Sequence, residues 1–245
     1  IGTLQAKNYN VKSYGAKGNG KKLDSPAIQK AIDACTAGGG GTVLIPKGTY
    51  LSATILIKDN VTLHLEEGAL LLGVTDLKKY ELVDPFTEGL GIQVGRTFIA
   101  AVDAKNIAIE GAGVIDGQGS ALKAKHIETD TRPEGQRWGE RPFLLRIIRC
   151  QHVRVEDITL KYSASWTSHY AQSKDITIKN VKIQSIGVAH NDGINIDGCE
   201  RVSIADCDVE SGDDALCFKT THSKYPCRDV VVNNMRLQSN QAGIK

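Results

Sequence analysis

The feature that most constrains the fold is an internal repeat in the second half of the chain. Short apolar runs open four similar units whose starts are 23, 26 and 28 residues apart, at Val153, Ile176, Val202 and Val230. Apolar runs of this length, separated by Gly, Asn or Asp, are typical of short β-strands. An internal period of 20 to 30 residues indicates coils that stack along one axis. The repeat therefore predicts an all-β solenoid.

Two columns of residues recur at fixed places in these units. Four places after each strand start stand Asp157, Asn180, Asp206 and Asn234. Because Asn and Asp tolerate left-handed backbone angles, this column predicts a left-handed turn at one corner of every coil. Three places before each start lies a second column, Cys150, Ser173, Cys199 and Cys227. We expect the cysteines to be buried thiols, since a chain of this length does not need disulfides to fold.

One amphipathic helix is predicted near the N-terminus. Ser25 suits the N-cap and Pro26 the first helical position. An apolar stripe follows, formed by Ala27, Ile28, Ala31, Ile32 and Cys35. One helix followed by many strands suggests a cap over the end of the solenoid, which would otherwise expose unpaired backbone.

Two long polar stretches, Thr75 to Thr97 and Ser120 to Arg141, interrupt the period. Long insertions in a solenoid fall between strands and often line a binding face. We therefore expect the two insertions to form a wall beside a cleft.

Three acidic residues immediately precede two of the predicted strands: Asp192, Asp213 and Asp214. If Ile194 and Ala215 begin equivalent strands, Asp192 lies directly against Asp213, with Asp214 beside it. Carboxylates at the spacing of neighbouring strands repel one another and raise at least one pKa. Hydrolysis of a sugar bond needs one protonated carboxyl group and at least one ionised carboxylate. The pattern thus indicates either such an active site or a solvated acidic ladder.

Composition and net charge indicate which partners and which location to expect. The net charge of +2 gives no sign of a nucleic-acid partner, and no apolar run is long enough for a membrane span. The N-terminus has neither an initiator Met nor an apolar leader, so we expect a mature or trimmed end. These features predict a monomeric protein that is secreted or periplasmic.

At this point the chain resembles a known family. Asn191-Asp192-Gly193-Ile194 and Ser211-Gly212-Asp213-Asp214-Ala215 are similar to the paired signatures of glycoside hydrolase family 28, the polygalacturonase family. Further matches extend over nearly the whole chain, among them Ile45-Pro46-Lys47-Gly48, Ile115-Asp116-Gly117-Gln118-Gly119, Arg141-Pro142 and Ser165-Trp166-Thr167. The resemblance implies a right-handed parallel β-helix with an N-terminal capping helix, forming a single domain over residues 1–245. It also implies hydrolysis of galacturonic-acid-containing polysaccharide with inversion, without a metal or other cofactor.

The resemblance assigns roles to individual residues. Asp213 matches the general acid, while Asp192 and Asp214 match the carboxylates that hold the attacking water. We expect substrate contacts from His190, Asn191, Lys219, His222 and His169.

Three departures from the family pattern stand out. His190 occupies a position that usually carries Asn, and Ala242-Gly243 stands where a Gly-His-Gly segment is expected. The chain also stops at Lys245, before the basic Arg-x-Lys substrate site, so we expect the domain to lack its C-terminal coils.

Two other functions remain open on the sequence alone. One is a polysaccharide lyase with the same architecture, which would need a metal and a basic proton abstractor. The other is a β-helix that binds glycans without cleaving them. The pectic linkage that is recognised, and endo as against exo cleavage, also remain open.

Overall fold

The computed structural model describes residues 7–129 and 138–245. Within these residues the chain forms strands joined by short turns. In chain order they are β1 (Asn8–Asn10), β2 (Asn19–Leu23), β3 (Gly41–Ile45), β4 (Gly48–Ser52), β5 (Ile55–Ile57), β6 (Val61–Leu65), β7 (Ala69–Gly73), β8 (Leu82–Thr87), β9 (Gln93–Val102), β10 (Lys105–Glu110), β11 (Val114–Asp116), β12 (Phe143–Ile148), β13 (Gln151–Glu156), β14 (Thr159–Lys161), β15 (Ser168–Ala171), β16 (Lys174–Lys179), β17 (Lys182–Ser185), β18 (Ile194–Asp197), β19 (Glu200–Ala205), β20 (Asp208–Ser211), β21 (Leu216–Lys219), β22 (Arg228–Asn233) and β23 (Arg236–Ser239).

These strands form three parallel sheets that run the length of the molecule. The first sheet has the order β1-β3-β6-β10-β13-β16-β19-β22, and the second has the order β2-β4-β7-β11-β14-β17-β20-β23. The third sheet has the order β5-β9-β12-β15-β18-β21. Successive strands of the chain visit the three sheets in turn, so the predicted right-handed parallel β-helix is confirmed.

The core is a set of apolar rows inside the coils. In the first sheet one such row is Leu63, Ile109, Val155, Ile178 and Ile204, in which each residue pairs with the next. Each of these side chains is at most 1% exposed. Because side chains alternate between the two faces of a strand, an apolar residue at every second place directs a continuous row inwards. Stacking of coils then excludes water from the whole row.

The predicted left-handed corner is present in every coil of the repeat. Asp157, Asn180, Asp206 and Asn234 have φ angles of 59°, 50°, 58° and 49°. The side chains also bond along the axis, since Asn180 donates to Asp157 over 2.8 Å and Asn234 donates to Asp206 over 2.6 Å. The column of small residues is likewise observed, and all six cysteines are free thiols, as predicted.

Two α-helices accompany the strands, α1 (Ser25–Ala37) and α2 (Gly119–Thr129). The helix α1 buries Ile28, Ala31, Ile32 and Cys35 against the first coils, which confirms the predicted cap. Its N-terminus differs from the prediction, because the helix begins at Ser25 and Asp24 holds the N-cap position. The Asp24 carboxylate instead accepts hydrogen bonds from the backbone of Lys17 and Gly18. No helix among the described residues is long and apolar enough to cross a membrane.

Both insertions lie at the same corner of the coil, between the second and third sheets. The first contains a 3₁₀ turn at Leu77–Lys79 and the strand β8, which pairs antiparallel with β9. The second contains α2, an element that the sequence did not predict. Of the second insertion, residues 130–137 lie outside the described residues. The acidic residues Asp192, Asp213 and Asp214 lie in later connections at this same corner, just before the strands β18 and β21.

Candidate active site

The backbone register decides which carboxylates meet. Ile194 pairs with Leu216, and the backbone N–H of Gly193 donates to the carbonyl oxygen of Asp214 over 2.8 Å. Asp192 therefore stacks on Asp214, and the expectation that it stacks on Asp213 is wrong. The reason is that the strand β21 begins one residue later than assumed, and a one-residue shift moves a side chain to the other face. Ala242 follows Asp214 in the next coil, and its N–H donates to the Asp214 carboxylate over 3.2 Å.

Asp192 is the buried member of the acidic group. It is 3% exposed, and its Oδ2 lies 3.1 Å from the ammonium nitrogen of Lys219. Burial raises the pKa of Asp192 to about 6, an effect that Lys219 opposes and that Asp213 and Asp214 reinforce. This carboxyl group therefore holds a proton more readily than an ordinary aspartate.

Asp214 has the same burial but the opposite shift. Burial alone would raise its pKa, yet hydrogen bonds from Lys245 and Cys217 lower it below the usual value. The Lys245 ammonium lies 3.0 Å from Oδ2, and the Cys217 thiol donates to the same oxygen over 3.4 Å. Two stacked carboxyl groups thus differ in their tendency to ionise, which is the division that acid–base chemistry requires.

A cation-binding arrangement exists at the same place. Ligand atoms of Asp192, Asp214 and Cys217 all lie within 4.8 Å of one another. Each carboxylate is already bonded to a lysine ammonium, however, and burial raises the pKa of the Cys217 thiol to about 12. These features favour charge neutralisation by Lys219 and Lys245 over a metal ion.

Asp213 is the most open of the three acids, with a side chain that is 20% exposed. Its Oδ1 accepts a hydrogen bond from the Asp214 N–H over 3.0 Å, and its Oδ2 accepts one from the His190 N–H over 3.1 Å. Two backbone donors therefore fix the carboxyl group while one side of it faces the cleft. This position suits a group that must exchange a proton with a bound molecule.

His190 is held beside Asp213 by residues next to it in space. Its ring stacks on Trp138, with centroids 4.6 Å apart and an angle of 16° between the planes. The preceding carbonyl group, of Ala189, accepts a hydrogen bond from Arg141 over 3.1 Å. Burial, together with the charge of Arg141, lowers the pKa of His190. The structure therefore brings this predicted site residue to the acidic group.

Lys219 also belongs to the group, with its ammonium 4.2 Å from the centroid of the Trp166 ring and bonded to Asp192. Trp166 is only 5% exposed, so it packs against the site and presents no free face to a sugar. His222 is exposed and contacts Tyr225 and the N–H of Lys224. Among the described residues, neither its hydrogen bond nor its ring contact involves any of the three carboxylates.

Two residues predicted to contact substrate, Asn191 and His169, have buried side chains that bond to other protein groups. Asn191 is 0% exposed, and its amide nitrogen donates to the carbonyl oxygen of Ser185 over 2.5 Å. His169 is 1% exposed, accepts a hydrogen bond from Arg146 over 3.3 Å, and bonds Asp197 over 3.1 Å. Both nitrogens of the His169 ring are therefore occupied by protein groups.

The sequence interpretation missed Lys245, Cys217, Trp138 and Arg141 as members of the site. A signal for the first two exists, since extending the strand pairing by one coil places Ile244 against Leu216. Trp138 and Arg141 come from an insertion whose path no repeat pattern fixes. Their positions could be learned only from the structure.

Comparisons with known proteins agree with this geometry. Residues 35–240 match the family Glycosyl hydrolases family 28. The chain is 26% identical over 249 residues to the protein named "Probable polygalacturonase" from Vitis vinifera, a match that covers 95% of this chain and 50% of the relative. The chain thus spans about half the length of the curated relatives it matches.

Solved structures give the same result for the fold. An exopolygalacturonase from Thermotoga maritima superposes with a TM-score of 0.81 at 25% identity, covering 99% of this chain and 63% of that chain. A surface adhesin of Streptococcus pneumoniae, PfbA, shares the fold with a TM-score of 0.68 at 24% identity, covering 94% of this chain and 57% of that chain. With the family match over most of its length, the chain belongs to glycoside hydrolase family 28.

Proposed function

We propose that this chain hydrolyses glycosidic bonds in galacturonic-acid-containing polysaccharide by a single displacement with inversion. The observation that carries the proposal is the pair of stacked carboxyl groups, Asp192 and Asp214, whose pKa values shift in opposite directions beside the more open Asp213. In this set Asp214 suits the proton acceptor, because its pKa is lowered, and Asp213 suits the proton donor, because it is the most exposed of the three acids. Family membership, and the names of the relatives, support pectic polysaccharide as the substrate.

In the proposed reaction Asp213 gives a proton to the leaving glycosidic oxygen. Asp214, which Lys245 keeps ionised, removes a proton from water on the other side of the sugar, and Asp192 helps to hold that water. Lys219 and Lys245 limit the negative charge of the cleft, so that an acidic sugar can enter. The chemistry uses only these side chains and water, so we propose no cofactor.

A polysaccharide substrate is too large to cross a membrane, which supports action outside the cytoplasm. We therefore propose that the protein is secreted or periplasmic. We also propose that it acts as a monomer and that its strands belong to one β-helix domain.

The proposal is tested by reducing-end release from a panel of pectic polysaccharides, comparing the wild type with Asp213→Asn. We expect release by the wild type and a loss of about 10² to 10⁴-fold in the variant, the range attributed to general acid–base catalysis. Asp229→Asn, which changes an exposed acid on the first sheet, is the matched control. Proton NMR of the first product should show the inverted anomer.

The fold shared with an adhesin favours a second candidate, a β-helix that binds glycans without cleaving them. In that case pectic oligosaccharides bind equally well to the wild type and to Asp213→Asn, and no product forms. A calcium-dependent product that absorbs ultraviolet light would instead identify a lyase.

A further inference from the structure

His190 presents two groups to the same oxygen of Asp213. Its backbone N–H donates to Oδ2 over 3.1 Å, and its ring nitrogen Nδ1 lies 3.9 Å from that oxygen. Proton transfer requires a separation of about 2.6 to 3.2 Å, so the ring nitrogen and the oxygen must come closer together for the proton to pass. The side chains are 33% and 20% exposed, so both reach solvent and the cleft.

The ring is held in this place by the surrounding protein. Stacking on Trp138 fixes its plane, and the hydrogen bond from Arg141 to Ala189 fixes the turn that carries it. The φ angle of His190 is 61°, a left-handed conformation that histidine seldom adopts. A conformation of this kind persists only when neighbouring contacts determine it.

The groups around the ring have opposing effects on its protonation. Asp213 and Glu88 favour the protonated ring, while burial, Arg141 and Lys123 favour the neutral ring, and the net result is a lowered pKa for His190. The ring is therefore not locked in one state by a strong ion pair.

Resting on the proposed function, we propose that His190 and Asp213 share one proton and that this pair, and not Asp213 alone, supplies it to the leaving oxygen. His190 is then a positioning residue for the proton, which it holds while Asp213 is ionised and returns to Oδ2 when substrate arrives. After the bond breaks, the pair lacks one proton and the acceptor carboxylate carries the proton taken from water. Exchange with solvent restores both groups.

The first test does not depend on activity. The six histidine rings are followed by NMR during a pH titration of the wild type and of Asp213→Asn, with His190 assigned by its absence in His190→Asn. We expect the His190 titration to move to lower pH by about half a unit or more in Asp213→Asn, because a charge about 4 Å away is removed. An unchanged His190 titration would overturn the proposal, even if the wild type cleaves pectin.

A matched pair elsewhere in the chain controls this measurement. His152 also has a left-handed φ, of 57°, and its Nδ1 lies 3.7 Å from Asp175 on the outer face of the first sheet. Asp175→Asn, which removes a carboxylate beside a histidine far from the acidic group, should leave the titration of His190 in place. A shift of His190 in this control would mean that the Asp213→Asn result reports a general change of charge, and the proposal would fail.

The second test is the pH dependence of kcat. Asn tolerates the left-handed backbone, so His190→Asn keeps the fold but removes the second site for the proton. We expect this variant to lose activity at lower pH than the wild type as the pH rises, by about one unit. The loss in kcat is then about tenfold on the alkaline side, with KM little changed. His152→Asn should match the wild type. A His190→Asn profile that overlays the wild type contradicts the shared proton.

Discussion

Two histidine–aspartate pairs lie close to the third sheet, one on its strands β15 and β18 and the other in the connections that precede β18 and β21. In the closed pair, His169 and Asp197 are 3.1 Å apart, with side chains that are 1% and 5% exposed. In the open pair, His190 and Asp213 are 3.9 Å apart and 33% and 20% exposed. The first pair excludes water, while the second remains in contact with it.

The two pairs differ in how many of their polar atoms have a hydrogen-bond partner in the protein. Arg146 donates to His169, and the backbone and hydroxyl groups of Thr221 donate to Asp197 over 2.8 and 2.6 Å. Burial lowers the pKa of His169 to about 4, so the ring stays neutral near pH 7. A pair without free hydrogen-bonding capacity stabilises structure, whereas one with such capacity can handle a proton.

A buried arginine joins the closed pair to the first insertion. Arg146 donates to the carbonyl oxygens of Val83 and Asp84 in the first insertion, and its guanidinium lies 5.0 Å from the Phe86 ring centroid. Buried hydrogen bonds thereby attach the insertion to the third sheet.

When the two pairs are disrupted by substitution, the largest expected effect is on the free energy of unfolding. Asp197→Ala removes the acceptor for His169 and Thr221 and leaves these donors unpaired, so the free energy of unfolding should fall by about 1 to 3 kcal/mol. Urea denaturation measures this. Asp213→Ala, at the open pair, should change stability by less than about 1 kcal/mol. Equal losses in the two variants would show that burial does not separate the pairs.

The next effect is the dependence of stability on pH. The folded pKa of His169, about 4, lies below its usual value of 6.5, so the unfolded chain binds more protons between these pH values. Stability should therefore fall as the pH drops from 6.5 towards 4, by up to about 1.4 kcal/mol per pH unit. Thermal or urea unfolding across this range tests the sign. In His169→Gln, which cannot be protonated there, the curve should be flatter.

The smallest expected effect concerns Asp214, which lies next to the open pair. Lys245→Met removes an ammonium that lowers the pKa of Asp214, so the carboxylate becomes protonated at higher pH. The acidic limb of the kcat profile should move upwards by less than about one unit, because the lysine side chain is 68% exposed and its charge is screened. Lys182→Met, on the second sheet, should leave the limb in place.

The sequence predicted the repeating scaffold well because each coil obeys the same local rules. Asp157 and Asn180 occupy the left-handed corner that their side chains favour. A second left-handed column was missed, since its members include His152 and Arg201, which seldom adopt such angles.

The site was predicted only in part, for a different physical reason. Its acids stand in the repeat, but the register was misplaced by one residue at Leu216. The burial of His169 and the support of His190 depend on Phe86 and Trp138, which lie in insertions far away in the sequence. No local pattern encodes contacts of that kind.

The corners of the coil differ in a way that bears on how such proteins change over time. From the first to the second sheet the repeat turns in two residues each time, at 157–158, 180–181 and 206–207. From the second to the third sheet the connections vary in length, at 162–167, 186–193 and 212–215, and both insertions enter at this same corner. Segments can therefore be lengthened, shortened or exchanged there without disturbing the stacking of the coils. Changes in these connections, whether natural or engineered, can alter which side chains lie near the acids without altering the stacked coils.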